Sequence, residues 1–160
     1  MLICFVTSEY IKTFSIGCKK FNKSDLFSKI TSPLFFKKYL KLTKGSNVKY
    51  DPPIEDDLVP VKFPQKIQYD SENVFSSLIS NKINIEQTWD IEMQKIKGLI
   101  KSKYLTISIE IEMEDIDSMG YLNCKGTLLD KHYLVPKSIF DNIIVDLRDK
   151  IETIINSNEH

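Results

Sequence analysis

Leu105-Thr106-Ile107-Ser108-Ile109-Glu110-Ile111-Glu112-Met113-Glu114 alternates apolar and polar side chains without a break. Successive side chains of a strand point to opposite faces, so this stretch is a strand with one buried face and one solvated, largely acidic face. Asp117-Ser118-Met119-Gly120 supplies a turn, and Tyr121 to Leu129 returns as the partner strand of a β-hairpin.

Beyond the hairpin, Phe140, Ile143, Ile144, Leu147, Ile151 and Ile154 recur at helical spacing and predict a final helix over Ser138 to Asn156. Before it, Asn84 with Gln87 three residues on has the form of a capping box. Ile85, Trp89, Met93, Ile96 and Ile100 follow at spacings of three and four or their multiples, which predicts an amphipathic helix. Val74, Phe75, Leu78 and Ile79 predict another helical segment. Across 46–70, Pro52, Pro53, Pro60 and Pro64 exclude a helix and leave an extended, proline-rich connector carrying the acidic cluster Glu55-Asp56-Asp57.

Toward the N-terminus, Ser32 at the N-cap and Pro33 at the first helical position open a helix that runs to Lys44 and ends at Gly45. Its wheel gathers Phe35, Phe36, Tyr39, Leu40 and Leu42 opposite Lys37, Lys38, Lys41 and Lys44. Ser24 is placed to cap a short helix that turns Leu26, Phe27 and Ile30 inward. Tyr10, Phe14, Ile16 and Cys18 fall on alternate positions of a strand, and Leu2 to Val6 form another. The expected fold is a single α+β domain over residues 1–160. In it a small antiparallel sheet, ending in a C-terminal β-hairpin, is packed by amphipathic helices on one face.

With 160 residues, 42% hydrophobic and 28% charged, the composition is that of a globular protein. No apolar run approaches the roughly 20 residues that span a bilayer, and Leu2 to Val6 is too short for a secretory core. Cys4, Cys18 and Cys124 form no C-x-x-C pair, which predicts reduced, buried thiols and a cytoplasmic location, with an organelle matrix as the alternative. Residues 1–50 hold ten lysines against Glu9 and Asp25, a balance of +8, while the remainder balances at −8. Such a split predicts a basic binding face or two mutually attracting halves.

No glycine-rich phosphate loop, H-E-x-x-H or G-x-S-x-G occurs, so the reading leans against an enzyme and assigns no catalytic residue, metal ligand or cofactor. The leading expectation is a non-catalytic protein-interaction module or accessory subunit, binding a protein partner through Pro52, Pro53, Glu55, Asp56 and Asp57. One alternative is an RNA- or ribosome-associated protein. It would set Lys37, Lys38, Lys41 and Lys44 against the phosphates of nucleic acid or of an anionic membrane surface. Another is a metal-dependent enzyme in which Glu110, Glu112, Glu114, Asp115 and Asp117 hold a hard cation on the hairpin. A Cys124–His132 pair has the residue types of a nucleophile and its base, but no surrounding signature.

Overall fold

The structure, a computed structural model, describes residues 10–51, 65–71, 82–90 and 92–157. In chain order its elements are β1 (Tyr10–Cys18), α1 (Lys23–Ile30), α2 (Pro33–Leu42), β2 (Gly45–Asp51), β3 (Gln65–Ser71), β4 (Lys82–Asp90), β5 (Lys95–Ser102), β6 (Leu105–Ile116), β7 (Met119–Lys131) and α3 (Lys137–Ile155). The seven strands form one sheet in the order β1-β7-β6-β5-β4-β3-β2, antiparallel throughout.

The chain is α+β, but the expectation of a small sheet with helices stacked on it is wrong. Its largest error lies at 84–100, expected as a helix. Those residues belong to strands β4 and β5, which are joined by a turn and paired Ile85 with Ile100 and Trp89 with Ile96. Asp90 Oδ1 accepts from the Met93 N–H at 3.0 Å, and Gln94 takes a positive φ of 53°, so the chain reverses where the helix was expected to continue. Both ends of the expected connector, 46–51 and 65–70, are also strand. The prolines and acidic residues between them, and the segment around Val74 to Ile79, lie outside the described residues.

The hairpin is where the alternation puts it. Leu105, Ile107, Ile109, Ile111 and Met113 are all buried, and Asp117 and Ser118 take φ of 50° and 66° in the two-residue turn. Positive φ at both central residues is what a type I′ turn needs to match strand twist. Leu129 has no opposite residue, since Thr106 faces Asp130 and Ile107 faces Leu128; this is a β-bulge that bends the sheet.

β1 and β2 lie at opposite edges, so the chain between them must cross the sheet. Six inter-strand gaps span roughly 29 Å when flat. The 8 residues of α1 and 10 of α2 rise about 27 Å, enough to make that crossing. Asn22, not Ser24, caps α1: its side chain accepts from the Asp25 N–H. Ser32 caps α2 as expected, by accepting from Phe35. The left-handed residue after α2 is Lys44 (φ 55°), and Gly45 opens β2 instead.

α3 lays Ile139, Phe140, Ile144, Leu147, Ile151, Ile154 and Ile155 against the inner face of the sheet. Phe140, Leu26, Ile107 and Leu122 are wholly excluded from solvent. A second, smaller cluster of Leu40, Ile67 and Tyr69 sits under α2 near the β2–β3 edge. No helix among the described residues is long and apolar enough to cross a membrane.

Candidate functional site

The two apolar clusters do not close against each other. Between them lies a cavity of about 90 Å³, walled by α2 (Phe35, Phe36, Tyr39, Leu40), by α3 (Leu147, Ile151) and by the inner face of β3 to β6. The sheet contributes Ile67, Ile85, Ile96, Gly98, Ile100, Ile109 and Ile111, and α1 adds Ile30. These residues converge because the ladder aligns them: Gly98 faces Ile109 on β6, Ile100 faces Ile107 on β6 and Ile85 on β4, and Ile85 faces Ile67 on β3.

The α2 wall is aromatic. Phe35 meets Phe36 edge-on at 5.9 Å between centroids and runs nearly parallel to Tyr39 at 6.5 Å. Tyr39 is the one described lining residue with a polar side-chain atom. Burial, then the nearby Tyr69 and Asp146, hold its phenol well above the usual range, so at neutral pH it is a proton donor and not a base. Tyr69, beneath α2, is pushed up to about 12 mainly by burial. Lys150 stands over the Tyr39 ring at 5.8 Å and pairs with Asp146 one turn earlier on α3.

None of the candidate residues read from the sequence is among the described walls of the cavity. Pro52, Pro53, Glu55, Asp56 and Asp57 lie outside the described residues. Lys37, Lys41 and Lys44 are exposed, on the side of α2 away from the cavity or just after its end. Lys38 turns toward the end of α3, its Nζ donating to Ser157 Oγ at 3.4 Å, and Lys29 reaches the Ile155 carbonyl at 3.5 Å. Two lysines of the basic half therefore sit at the negative end of the α3 dipole, which has no basic residue in its own last turn.

The acidic face of the hairpin disperses into separate contacts. Glu112 pairs with Lys95 at 3.2 Å, Glu110 lies between Lys97 and Lys125 in the ladder, Glu114 accepts from Asn123 at 2.7 Å, and Asp115 accepts from the Lys23 N–H at 2.8 Å. Among the described residues no three Asp, Glu, His or Cys side chains are placed to hold a metal. Cys124 is buried on the inner face, its thiol pushed up to about 12 by burial, which leaves it unreactive. His132 lies beyond the end of β7, between the rings of Tyr104 and Tyr133, and accepts from the Leu134 N–H.

The sequence reading missed the cavity because each of its walls looks like ordinary core. One trace was present: Gly98 between Ile96 and Ile100, since a glycine inside a strand marks a place where something else approaches the backbone.

No family model and no curated protein matches the chain. Solved structures do match in fold. A truncated norcoclaurine synthase from Thalictrum flavum superimposes with a TM-score of 0.66 at 10% identity, over 99% of this chain and 100% of that one. The Zhui aromatase/cyclase from Streptomyces sp. R1128 gives 0.64 at 9% identity, over 92% and 91%. A START superfamily protein from Mycobacterium smegmatis gives 0.60 at 8%, over 91% and 96%. The architecture is thus the helix-grip arrangement, a large antiparallel sheet holding a C-terminal helix. This likeness and the cavity within it overturn the interaction-module or accessory-subunit reading together with its RNA-binding and hairpin-metal alternatives. All three were placed on surface charge, and the chain's distinctive feature is internal.

Proposed function

We propose that this protein binds a small, uncharged, predominantly apolar molecule between α2, α3 and the sheet. The observation that carries the reading is the cavity itself. At roughly 24 cal/mol per Å³, an empty space of 90 Å³ costs about 2 kcal/mol, a sizeable share of the 5–15 kcal/mol by which a domain is stable. Among the described walls the Tyr39 hydroxyl is the one polar side-chain group, whereas a water needs two or more polar partners. A hydrocarbon group filling the space relieves it.

The neighbours in fold support a ligand-binding interior. One norcoclaurine synthase structure is a complex with dopamine and hydroxybenzaldehyde, both single-ring compounds. Binding is the part of their behaviour that this chain's geometry supports. A protonated phenol at Tyr39 can donate to a ligand oxygen, but the described lining supplies no general base to accompany it.

The test is the melting temperature with benzene or with benzoate, each added below saturation. A ligand at a hundred times its Kd adds about 2.7 kcal/mol, or roughly 5–11 °C for a chain of this size. Benzene is expected to raise the transition and benzoate to leave it unmoved, because a carboxylate would be buried among isoleucines with no partner. Equal shifts, or none with benzene, would refute the proposal.

A further inference from the structure

Among the described residues the two most exposed large apolar side chains are neighbours in sequence: Tyr133 is 81% exposed and Leu134 66%, in the segment that joins β7 to α3. That segment is tied down on both sides of them. The His132 N–H donates to the Tyr104 carbonyl at 2.8 Å, and the Val135 N–H donates to the His132 carbonyl at 2.9 Å. The Leu134 N–H donates to His132 Nδ1 at 3.2 Å, and the His132 ring meets those of Tyr104 and Tyr133 with centroids 5.4 and 4.5 Å away. Val135, next along, is buried. The backbone therefore holds two apolar side chains outward, where each forgoes the gain of burial.

The charge around this tip is positive. Across 101–105 and 129–140 the charged residues are Lys101, Lys103, Lys131 and Lys137 against Asp130. Lys101 pairs with Glu86, while Lys103 and Lys137 lie over the rings of Tyr104 and Tyr10 at 5.3 and 5.4 Å. α3 begins here with no side-chain cap and no acidic residue in its first turn, so its free N–H groups add to the positive end. The opposite end of the sheet surrounds its exposed apolar residues with the other sign. Met93 follows Asp90 and Glu92 in the β4–β5 turn, and Ile116 stands between Asp115 and Asp117 at the β6–β7 turn.

We infer that the β7–α3 segment docks this protein on a bilayer bearing anionic headgroups, with Tyr133 and Leu134 entering the interface and Lys103, Lys131 and Lys137 meeting the headgroups. Shape and charge together select that occupant. A stable protein interface draws on about 20–30 residues a side, whereas this patch offers two protruding apolar side chains among lysines. Nucleic acid would take up the lysines and leave Leu134 in water. A bilayer closes around a protrusion, takes a tyrosine at headgroup level with its hydroxyl wet, and attracts each nearby lysine. Anchoring of this size is reversible and sensitive to salt. It does not depend on the cavity being a ligand site.

The experiment is co-sedimentation of the full chain with vesicles of phosphatidylcholine alone or mixed one to one with phosphatidylserine, at low and at high salt. The native protein is expected to bind the mixed vesicles at least about tenfold more tightly than phosphatidylcholine alone, and to be released by salt. Leu134→Ser should weaken that binding about tenfold while the melting temperature stays unchanged, and Lys103→Gln and Lys137→Gln should weaken it about fivefold each. Met93→Ser, the matching change at the acidic end, should bind as the native chain does. Equal binding to the two kinds of vesicle, or native binding by Leu134→Ser, would overturn the inference. So would a Met93→Ser protein that loses as much as Leu134→Ser. If the native chain ignores vesicles yet binds single-stranded polythymidine, and Lys103→Gln weakens that binding, the surface serves nucleic acid and the bilayer assignment is wrong.

Discussion

Replacing Gly120 by alanine tests the way the first helix is locked to the hairpin. Gly120 lies on β7 opposite Cys18 of β1 and Asp115 of β6, and its N–H donates to the Phe21 carbonyl at 2.9 Å. Its φ is not positive, so alanine is allowed conformationally and the substitution changes only space. The new Cβ would sit 2.3 Å from the Phe21 carbonyl oxygen, 2.9 Å from the Asn22 carbonyl carbon and 3.0 Å from Leu26 Cδ1. The first two are backbone and cannot rotate away, so the start of α1 must lift. Lifting it strains the Gly120–Phe21 bond and the bond from the Lys23 N–H to Asp115 at 2.8 Å, and it draws Leu26 out of full burial. Overpacking costs roughly 1–3 kcal/mol and each weakened hydrogen bond about 0.5–1.5, less the 0.4–1 that alanine returns by stiffening the unfolded chain. The expected loss is about 3 kcal/mol, or roughly 6–12 °C in melting temperature.

Gly126→Ala is the internal control. There the nearest contact, 2.5 Å, is with the tip of the Ile144 side chain, which can turn aside, and the cost should be about 1 kcal/mol. Urea unfolding followed by circular dichroism measures both variants with the same slope analysis. A Gly120→Ala protein within 0.5 kcal/mol of the native one, or less perturbed than Gly126→Ala, would refute the claim that backbone contact holds α1 on the hairpin.

Stability should fall in alkali in a defined order. The Cys124 thiol has its folded pKa raised from 9.0 to about 12 by burial, so the folded state holds its proton more tightly; its contribution is complete below about pH 9 and is lost as pH rises toward 12. Tyr39 and Tyr69, both raised from 10.0, add to the loss only above about pH 10, each group steepening the slope by roughly 1.4 kcal/mol per pH unit. Urea unfolding from pH 8 to 11 should therefore show a decline between pH 9 and 10 that Cys124→Val abolishes; an unchanged decline in the variant contradicts the assignment. Ser32→Ala removes the oxygen that accepts from the Phe35 N–H at 3.2 Å and should cost about 1 kcal/mol in the urea midpoint. Ile107→Ala, at a wholly buried site, should cost 2–5 kcal/mol, and a loss under 1 would mean the core can collapse around it.

The elements legible in the sequence are those in which one periodicity excludes the other. Leu105 to Glu114 alternates at every position, which no helix does, and Ser32-Pro33 joins a cap to a residue with no N–H to satisfy, which marks a helix start without reference to packing. Between 84 and 100 the pattern was ambiguous for a physical reason. Ile85 to Trp89 and Ile96 to Ile100 are each four apart. Four residues is nearly one helical turn and also an even number of strand positions, so the same spacing serves both. Ile83 with Ile85, and Ile96 with Gly98 and Ile100, supply the period of two that decides it, and Asp90 supplies the turn. Read as one helix, the segment removed two central strands, and the sheet then looked small.

The charged side chains are engaged in equally local contacts, which do not follow the division between the two halves of the sequence. Lys95 and Lys97 stand opposite Glu112 and Glu110 across the β5–β6 ladder, and Lys29 and Lys38 meet the end of α3. Exposed pairs of this kind contribute about 0–1 kcal/mol each, so they set local geometry more than they set stability. A search for function guided by charge was therefore drawn to the surface, whereas the candidate site is a deficit of volume. A void has no motif: seven elements contribute its described walls, and every described wall residue except Gly98 has the residue type expected of a core.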